Sequence, residues 1–148
     1  MRDADLAGKL TAQGHVYYAR VYYADTDFSG FVYHARYLEF FERGRTDYLR
    51  LAGIHHTTLA LLAEPLVWVV RRMEIEFIAP ARMDDVVTIE TFTQDISGAR
   101  ITMVQTIQCG DTRLISAKVE AATVTLDGKP RRFPKDWRSR LKPNSDGV

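Results

Sequence analysis

Between Tyr37 and Ala52, apolar and small residues recur at helical spacing. Tyr37, Phe40, Phe41, Gly44, Tyr48, Leu51 and Ala52 form one continuous stripe. The opposite face carries Glu39/Arg43 and Arg43/Asp47 four residues apart, the usual pairing of a solvated helix face. Gly53 predicts the stop. Gly44 lies on the apolar stripe, although glycine costs about 1 kcal/mol against alanine in a helix interior. Its position therefore predicts close approach of the helix backbone to a sheet rather than a hinge.

The rest of the pattern is that of strands. His15 to Tyr23 is aromatic and β-branched, and Ala24 to Gly30 breaks it with turn-forming residues. After a loop or short helix over His55 to Glu64, Leu66 to Ile78 reads as a long strand ending at Ala79-Pro80. Val86 to Thr93 alternates, with Val87, Ile89, Thr91 and Thr93 sharing one face. Turns at Ser97-Gly98, Gly110-Asp111 and Asp127-Gly128 set off strands over Arg100 to Gln108 and Arg113 to Leu126. A short helix is expected near Asp136 to Leu141. One strand, a long helix, then four strands on short turns predict an α+β fold with a mainly antiparallel sheet. A single apolar helix face needs one sheet face to cover it, so the sheet wraps round one buried helix.

Composition narrows the setting. The 148 residues suit one domain, and 46% hydrophobic with 26% charged residues is ordinary globular usage. We expect a frayed tail over residues 1–14, a domain over 15–142 and a disordered tail over 143–148. The net charge of +1 gives no global field for nucleic acid or membrane. The lone Cys109 excludes an internal disulfide framework and reads as a small apolar residue at a strand end. The first residues carry acids and no apolar run, and the longest apolar stretch, Leu66 to Val70, is far too short to span a bilayer. A soluble cytoplasmic protein without membrane insertion is the expectation. His15, His34, His55 and His56 have no metal-ligand spacing, so neither metal nor cofactor is expected.

The chemistry concentrates between Arg20 and Tyr37: a strand, an acidic loop with a glycine, and a helix start. A helix N-terminus offers unpaired N–H groups and a positive dipole end, which suit a carbonyl oxygen that becomes negative in acyl transfer. A nearby carboxylate can attack the acyl carbon or activate water. From the residues alone, turn and cap duty is the commoner use of Asp25 and Asp27.

The stretch Asp25-Thr26-Asp27-Phe28-Ser29-Gly30-Phe31-Val32-Tyr33-His34-Ala35-Arg36-Tyr37 resembles the active-site motif of the 4-hydroxybenzoyl-CoA thioesterase family, which has the hotdog fold. It is most similar to the short-chain acyl-CoA thioesterases associated with the Tol–Pal envelope system. Tyr22, Tyr23, Asp25, Thr26, Asp27, Gly30, Val32, Tyr33, His34 and Tyr37 all match, and Glu42-Arg43 with Arg45 fits further along the helix. Phe31 and the Phe28-Ser29 pair depart from the pattern, which touches chain-length preference rather than chemistry. The resemblance implies a single hotdog domain hydrolysing short to medium acyl-CoA. Asp27 is then the catalytic carboxylate, as base or nucleophile, and a main-chain N–H near His34 polarises the carbonyl. His34 positions water or thioester, Asp25 holds the loop, and Tyr33, Gly30 and Phe31 line the substrate site. Glu39 and Glu42, the helix carboxylates some hotdog enzymes use, read better as solvated partners of Arg43 and Arg45.

CoA is polyanionic, so cations are needed; Arg100, Arg113 and the Lys129 to Arg132 cluster are candidates, Arg100 and Arg131 foremost. The resemblance also implies a homodimer or homotetramer, with Arg113 to Leu126 as an interface strand. No nucleic-acid partner is expected. The other readings are an acyl-ACP or aryl-CoA thioesterase, or a non-catalytic module binding an acyl carrier protein at the envelope machinery.

Overall fold

The structure, a computed structural model, describes residues 6–141 and Pro143. The tail expectations for residues 1–5 and 144–148 lie outside the described residues. The elements in chain order are β1 (Lys9–Leu10), β2 (His15–Arg20), α1 (Arg36–Leu51), α2 (His56–Ala60), β3 (Leu66–Phe77), β4 (Val86–Ser97), β5 (Arg100–Cys109), β6 (Thr112–Thr125) and α3 (Trp137–Leu141). One antiparallel sheet of six strands runs β1-β2-β4-β5-β6-β3, and α1 packs across it. This is the α+β arrangement that the strand and helix patterns predicted.

Helix α1 buries Tyr37, Phe40, Phe41, Gly44, Tyr48 and Leu49. Leu49, rather than Leu51, completes the stripe, because α2 and α3 wall the last turn and Leu49 joins their cluster with Leu59 and Leu141. Gly44 faces the sheet as expected. A Cβ there would lie 3.0 Å from Thr91 Oγ1 and 3.1 Å from Ile89 Cγ2. At the other boundary Gly53 takes φ 86°. Its N–H goes to Arg50 O, and Ile54 N–H goes back to Leu49 O at 2.8 Å, a closed helix end with an apolar Ile54–Leu49 contact. On β4, Val87, Ile89, Thr91 and Thr93 are buried, which is the face that alternation grouped.

Two expectations are corrected. The segment before His15 is not frayed over its described length: Ala7 is buried, Lys9 and Leu10 pair with Val16 and His15, and His15 Nε2 lies 2.6 Å from Ala7 O. A two-residue strand has too short a pattern to read from sequence, and the backbone bonds and the buried imidazole anchor it. Nor is the strand over Arg113 to Leu126 an edge, because β6 pairs with β5 on one side and β3 on the other. Its Val and Ala content reflects burial inside the sheet. The edge beyond β6 is β3, where Val69, Val70 and Phe77 are exposed. Cys109 is half-buried at the end of β5, and desolvation raises its thiol.

Candidate active site

After β2 the chain makes a 3-10 turn over Tyr23–Asp25, and the two aspartates of the loop then part in role. The Asp25 carboxylate accepts the Tyr22 N–H at 2.8 Å and lies 3.5 Å from Arg36 Nε. Arg36 in turn donates to Ala24 O and to Glu39. Asp25 thus ties the loop to the first turn of α1.

Asp27 heads a tight turn. Gly30 N–H donates to Asp27 O at 3.0 Å, and Gly30 holds φ 84°, a conformation that glycine adopts without strain. Asp27 N–H returns to Phe31 O at 3.0 Å. The carboxylate itself is exposed. Its Oδ1 accepts the Ser29 hydroxyl and, at 2.8 Å, the Ser29 N–H. These donors, the hydroxyl foremost, hold the carboxyl below its ordinary range, and the charge of nearby His34 acts in the same sense. Asp27 is ionised at neutral pH.

The helix start faces it. Tyr33 N–H goes to Asp25 O and Arg36 N–H to Tyr33 O. The donors between them, on His34 and Ala35, have no acceptor among the described residues. They sit at the positive end of α1, where a developing oxyanion would be stabilised.

These groups border a cleft of about 300 Å³. Asp27, Ser29, Phe31 and His34 come from the loop and helix start, and Phe77 and Ile115 from the sheet. The His34 ring stands edge-on to Phe77, with centroids 6.1 Å apart and planes at 86°. The Tyr37 hydroxyl accepts the Ala81 N–H at 2.9 Å, which fixes the far wall, and burial pushes its phenol up.

Asp27, His34 and Phe31 therefore meet at one cleft. Gly30 shapes the turn without lining the cavity, and the Tyr33 ring meets His34 edge-on, with centroids 4.8 Å apart, from outside the lining. Phe28 is fully exposed and touches neither channel nor core. Arg100 and Arg131 do not line this cleft. Arg100 stands opposite Ala122 and pairs with Glu120, while Arg131 donates to Glu64 at 2.8 Å. The cleft reaches β6 at Ile115, seven residues before Ala122, which puts Arg100 roughly 23 Å along the strand from it. Glu39 is engaged with Arg36 and Glu42 with Thr46. A narrower cavity of about 140 Å³ lies farther along α1, between Glu42, Arg45, His56 and Trp68.

Residues that sequence reading passed over are Ser29 in its role on Asp27, the Phe77–Pro80 wall, and Arg82, whose guanidinium lies 4.6 Å over the Phe31 ring. Only Ser29 had a local signal, the spacing of an Asx turn. Among the described residues, no group of three His, Cys, Asp or Glu side chains is placed to hold a metal, and no helix is long and apolar enough to cross a membrane.

Residues 21–141 match the family described as the thioesterase-like superfamily. An acyl-CoA thioesterase of Haemophilus influenzae, YbgC, is 42% identical over 127 residues, covering 85% of this chain and 93% of that protein. The crystal structure of a probable thioesterase from Bartonella henselae superposes with a TM-score of 0.79 at 54% identity, over 82% of this chain and 99% of that one. A 1,4-dihydroxy-2-naphthoyl-CoA thioesterase from Synechocystis shares the fold at a TM-score of 0.78 but only 21% identity, over 86% of this chain and 94% of that one.

Proposed function

The chain belongs to the thioesterase-like superfamily, and on that premise we propose how its cleft performs the reaction. The protein is an acyl-CoA thioester hydrolase of the hotdog fold. The thioester carbonyl lies with its oxygen toward the N–H groups of His34 and Ala35, and Asp27 acts on the acyl carbon. As a nucleophile, its carboxylate oxygen bonds to that carbon while the C–S bond breaks and CoA leaves as thiolate. Water then opens the anhydride, releasing the acid and regenerating the carboxylate. As a base, Asp27 takes a proton from the water that attacks instead. His34 holds the thioester or that water. The observation that carries this reading is an ionised carboxylate and unmatched helix-start donors on one apolar-walled cleft.

The substrates are short to medium aliphatic acyl-CoAs. A cavity near the low end of ligand-pocket volumes supports that reading, with Phe31 and Phe77 as acyl contacts. The exposed apolar residues of edge strand β3 support a homodimer, or a tetramer built from it. A cytoplasmic place follows the substrate, and association with the Tol–Pal system rests on the sequence resemblance.

Release of free thiol from acetyl- through palmitoyl-CoA, an aryl-CoA and an acyl-ACP tests the reading. We expect butyryl- to octanoyl-CoA to turn over best, and Asp27→Asn to lose at least about a hundredfold in kcat. An Asn variant working at the parent rate would overturn the role of Asp27. Tight binding of acyl carrier protein without turnover of any thioester would favour a binding module. Single-turnover hydrolysis in 18O-water tests the nucleophilic role: label in the Asp27 carboxylate marks an anhydride that water opens at the Asp27 carboxyl carbon, a product the base route never gives.

A further inference from the structure

The hydrogen bonds of the acidic loop converge on one atom. Ser29 supplies two donors to Asp27, its N–H and its hydroxyl, and both go to Oδ1. Any residue at that position would supply the N–H. The hydroxyl is specific to serine or threonine, at a position where the family pattern more often has a smaller residue. The hydroxyl is itself held, because Ser29 Oγ accepts the Phe31 N–H at 3.2 Å. With that lone pair occupied, its proton is directed to Asp27. The order of bonds is Phe31 N–H to Ser29 Oγ, then Ser29 O–H to Asp27 Oδ1, within a turn closed by Gly30 N–H on Asp27 O. The side chain of Asp27 has no other partner that would fix its second torsion among the described residues.

We propose that Ser29 is a positioning residue of the thioesterase site, clamping Asp27 through Oδ1 so that Oδ2 is the oxygen presented to the acyl carbon or the attacking water. This rests on the reading of Asp27 as the reacting carboxylate. An exposed aspartate otherwise samples rotation about its terminal torsion, and a reacting group held in one geometry gains over one that must find it. The clamp also keeps the carboxylate ionised at lower pH, since a donor to the charged form favours it. His34 and Tyr37 are the other titratable groups in the cleft wall, and of these His34 acts on Asp27 in the same direction.

The test compares Ser29→Ala and Ser29→Thr with the parent and with Asp27→Asn, reading kcat, KM and the acid limb of the pH–rate profile on butyryl-CoA. Ser29→Ala keeps the backbone donor and loses the hydroxyl. It should lower kcat roughly tenfold, as for one hydrogen bond to a charged group, and leave KM within about twofold. Its acid limb should move to higher pH. Ser29→Thr should restore both, and Ser29→Ala should have no further effect on an Asp27→Asn background. A Ser29→Ala enzyme with parental kcat and an unmoved limb would overturn the clamp. So would one that raises KM alone, because that marks a substrate contact. If Asp27→Asn stays active, the reading of the reaction fails and the catalytic role of the clamp falls with it. If Asp27→Asn is inactive while Ser29→Ala behaves as the parent, only the clamp fails.

Discussion

Helix α1 is treated in opposite ways at its two ends. At the C-terminal end the backbone groups and the buried Tyr48 hydroxyl are partnered and apolar side chains close round them, although Trp68 Nε1 has no partner among the described residues and a cavity of about 140 Å³ lies alongside. Gly53 and Ile54 return their N–H groups to Arg50 and Leu49, Arg140 donates to Gly53 O, and the buried Tyr48 hydroxyl bridges Thr93 and Leu141 O. Trp68, Phe133 and Trp137 stack over it, with centroids 5.3 to 5.8 Å apart. At the N-terminal end, an exposed loop and an open cleft leave the His34 and Ala35 N–H groups unmatched and the Asp27 carboxylate in solvent. Midway, Tyr17 donates to Phe40 O at 2.7 Å and Gln105 to Phe41 O at 2.9 Å, which pins the helix to the sheet. The sealed end and the pins hold the axis, so the open end can keep donors aimed at a guest. Stability and reactivity are divided along one helix.

A crossed pair of substitutions breaks or sharpens that division. Asp27→Asn should cost at least about a hundredfold in activity, with a melting temperature within a degree or two of the parent's. Trp137→Ala should do the reverse: about 3–5 kcal/mol of stability by denaturant titration, with kcat per folded molecule retained. If Trp137→Ala lowers kcat at full foldedness, the two ends are coupled and the division is wrong.

The next test is at the pin. A Cβ on Gly44 would stand 3.0 to 3.2 Å from Thr91 Oγ1, Ile89 Cγ2 and Gln105 Nε2. Alanine gains about 1 kcal/mol of helix propensity there. Gln105 cannot yield easily, because it is bonded to Phe41 O, to Thr91 and to Arg45. Crowding should therefore win, and Gly44→Ala should lose about 1–2 kcal/mol in chemical denaturation. A stabilised variant would mean that the helix can lift off the sheet without cost.

The division was only half legible in the sequence. The helix announced itself because sixteen residues carry one period, and the strands because their turns fall at Gly98, Gly110 and Gly128. Strand order did not, since alternation says which face is buried and nothing about which neighbour lies alongside. That is why the pattern pointed to β6 as the interface strand and not to the edge strand β3. The site was legible where it is local, since Asp27 and His34 lie seven residues apart in one loop and helix start. Phe77 and Ile115 reach the cleft only through the β3–β6 pairing. The same long-range pairing carried Arg100 and Arg131 to the far end.

A smaller effect belongs to the N-terminal segment beside the sealed end. His15 is buried between Tyr17 and Tyr48, and burial lowers its imidazole below the ordinary value near 6.5. The Ala7 carbonyl and, less, Asp47 on α1 oppose that, and the Asp47 carboxyl is itself raised by desolvation. The folded form thus prefers the neutral ring, whereas the unfolded chain takes a proton near pH 6.5. This contribution is present above about pH 6.5 and is lost as pH falls below it. Urea titrations between pH 7.5 and 5 should show stability falling more steeply in the parent than in His15→Phe. Equal slopes would remove His15 as the cause.

The smallest effect separates the two phenylalanines of the acidic loop. Phe28 and Phe31 flank the same glycine, yet one ring is wholly in solvent and the other lines the cleft under the Arg82 guanidinium. A ring that touches nothing has no packing to lose, so Phe28→Ala should leave stability within about 0.5 kcal/mol and chain-length preference flat. Phe31→Ala removes cleft wall and should raise kcat/KM for lauroyl-CoA relative to butyryl-CoA. Each methylene newly admitted to an apolar pocket is worth about 1–3 kcal/mol, so a real sieve appears as at least a tenfold change in that ratio. A response in Phe28→Ala with none in Phe31→Ala would mean that the substrate enters over the outer surface of the loop. The cleft would then not be the acyl site, and the open end of α1 would need another occupant.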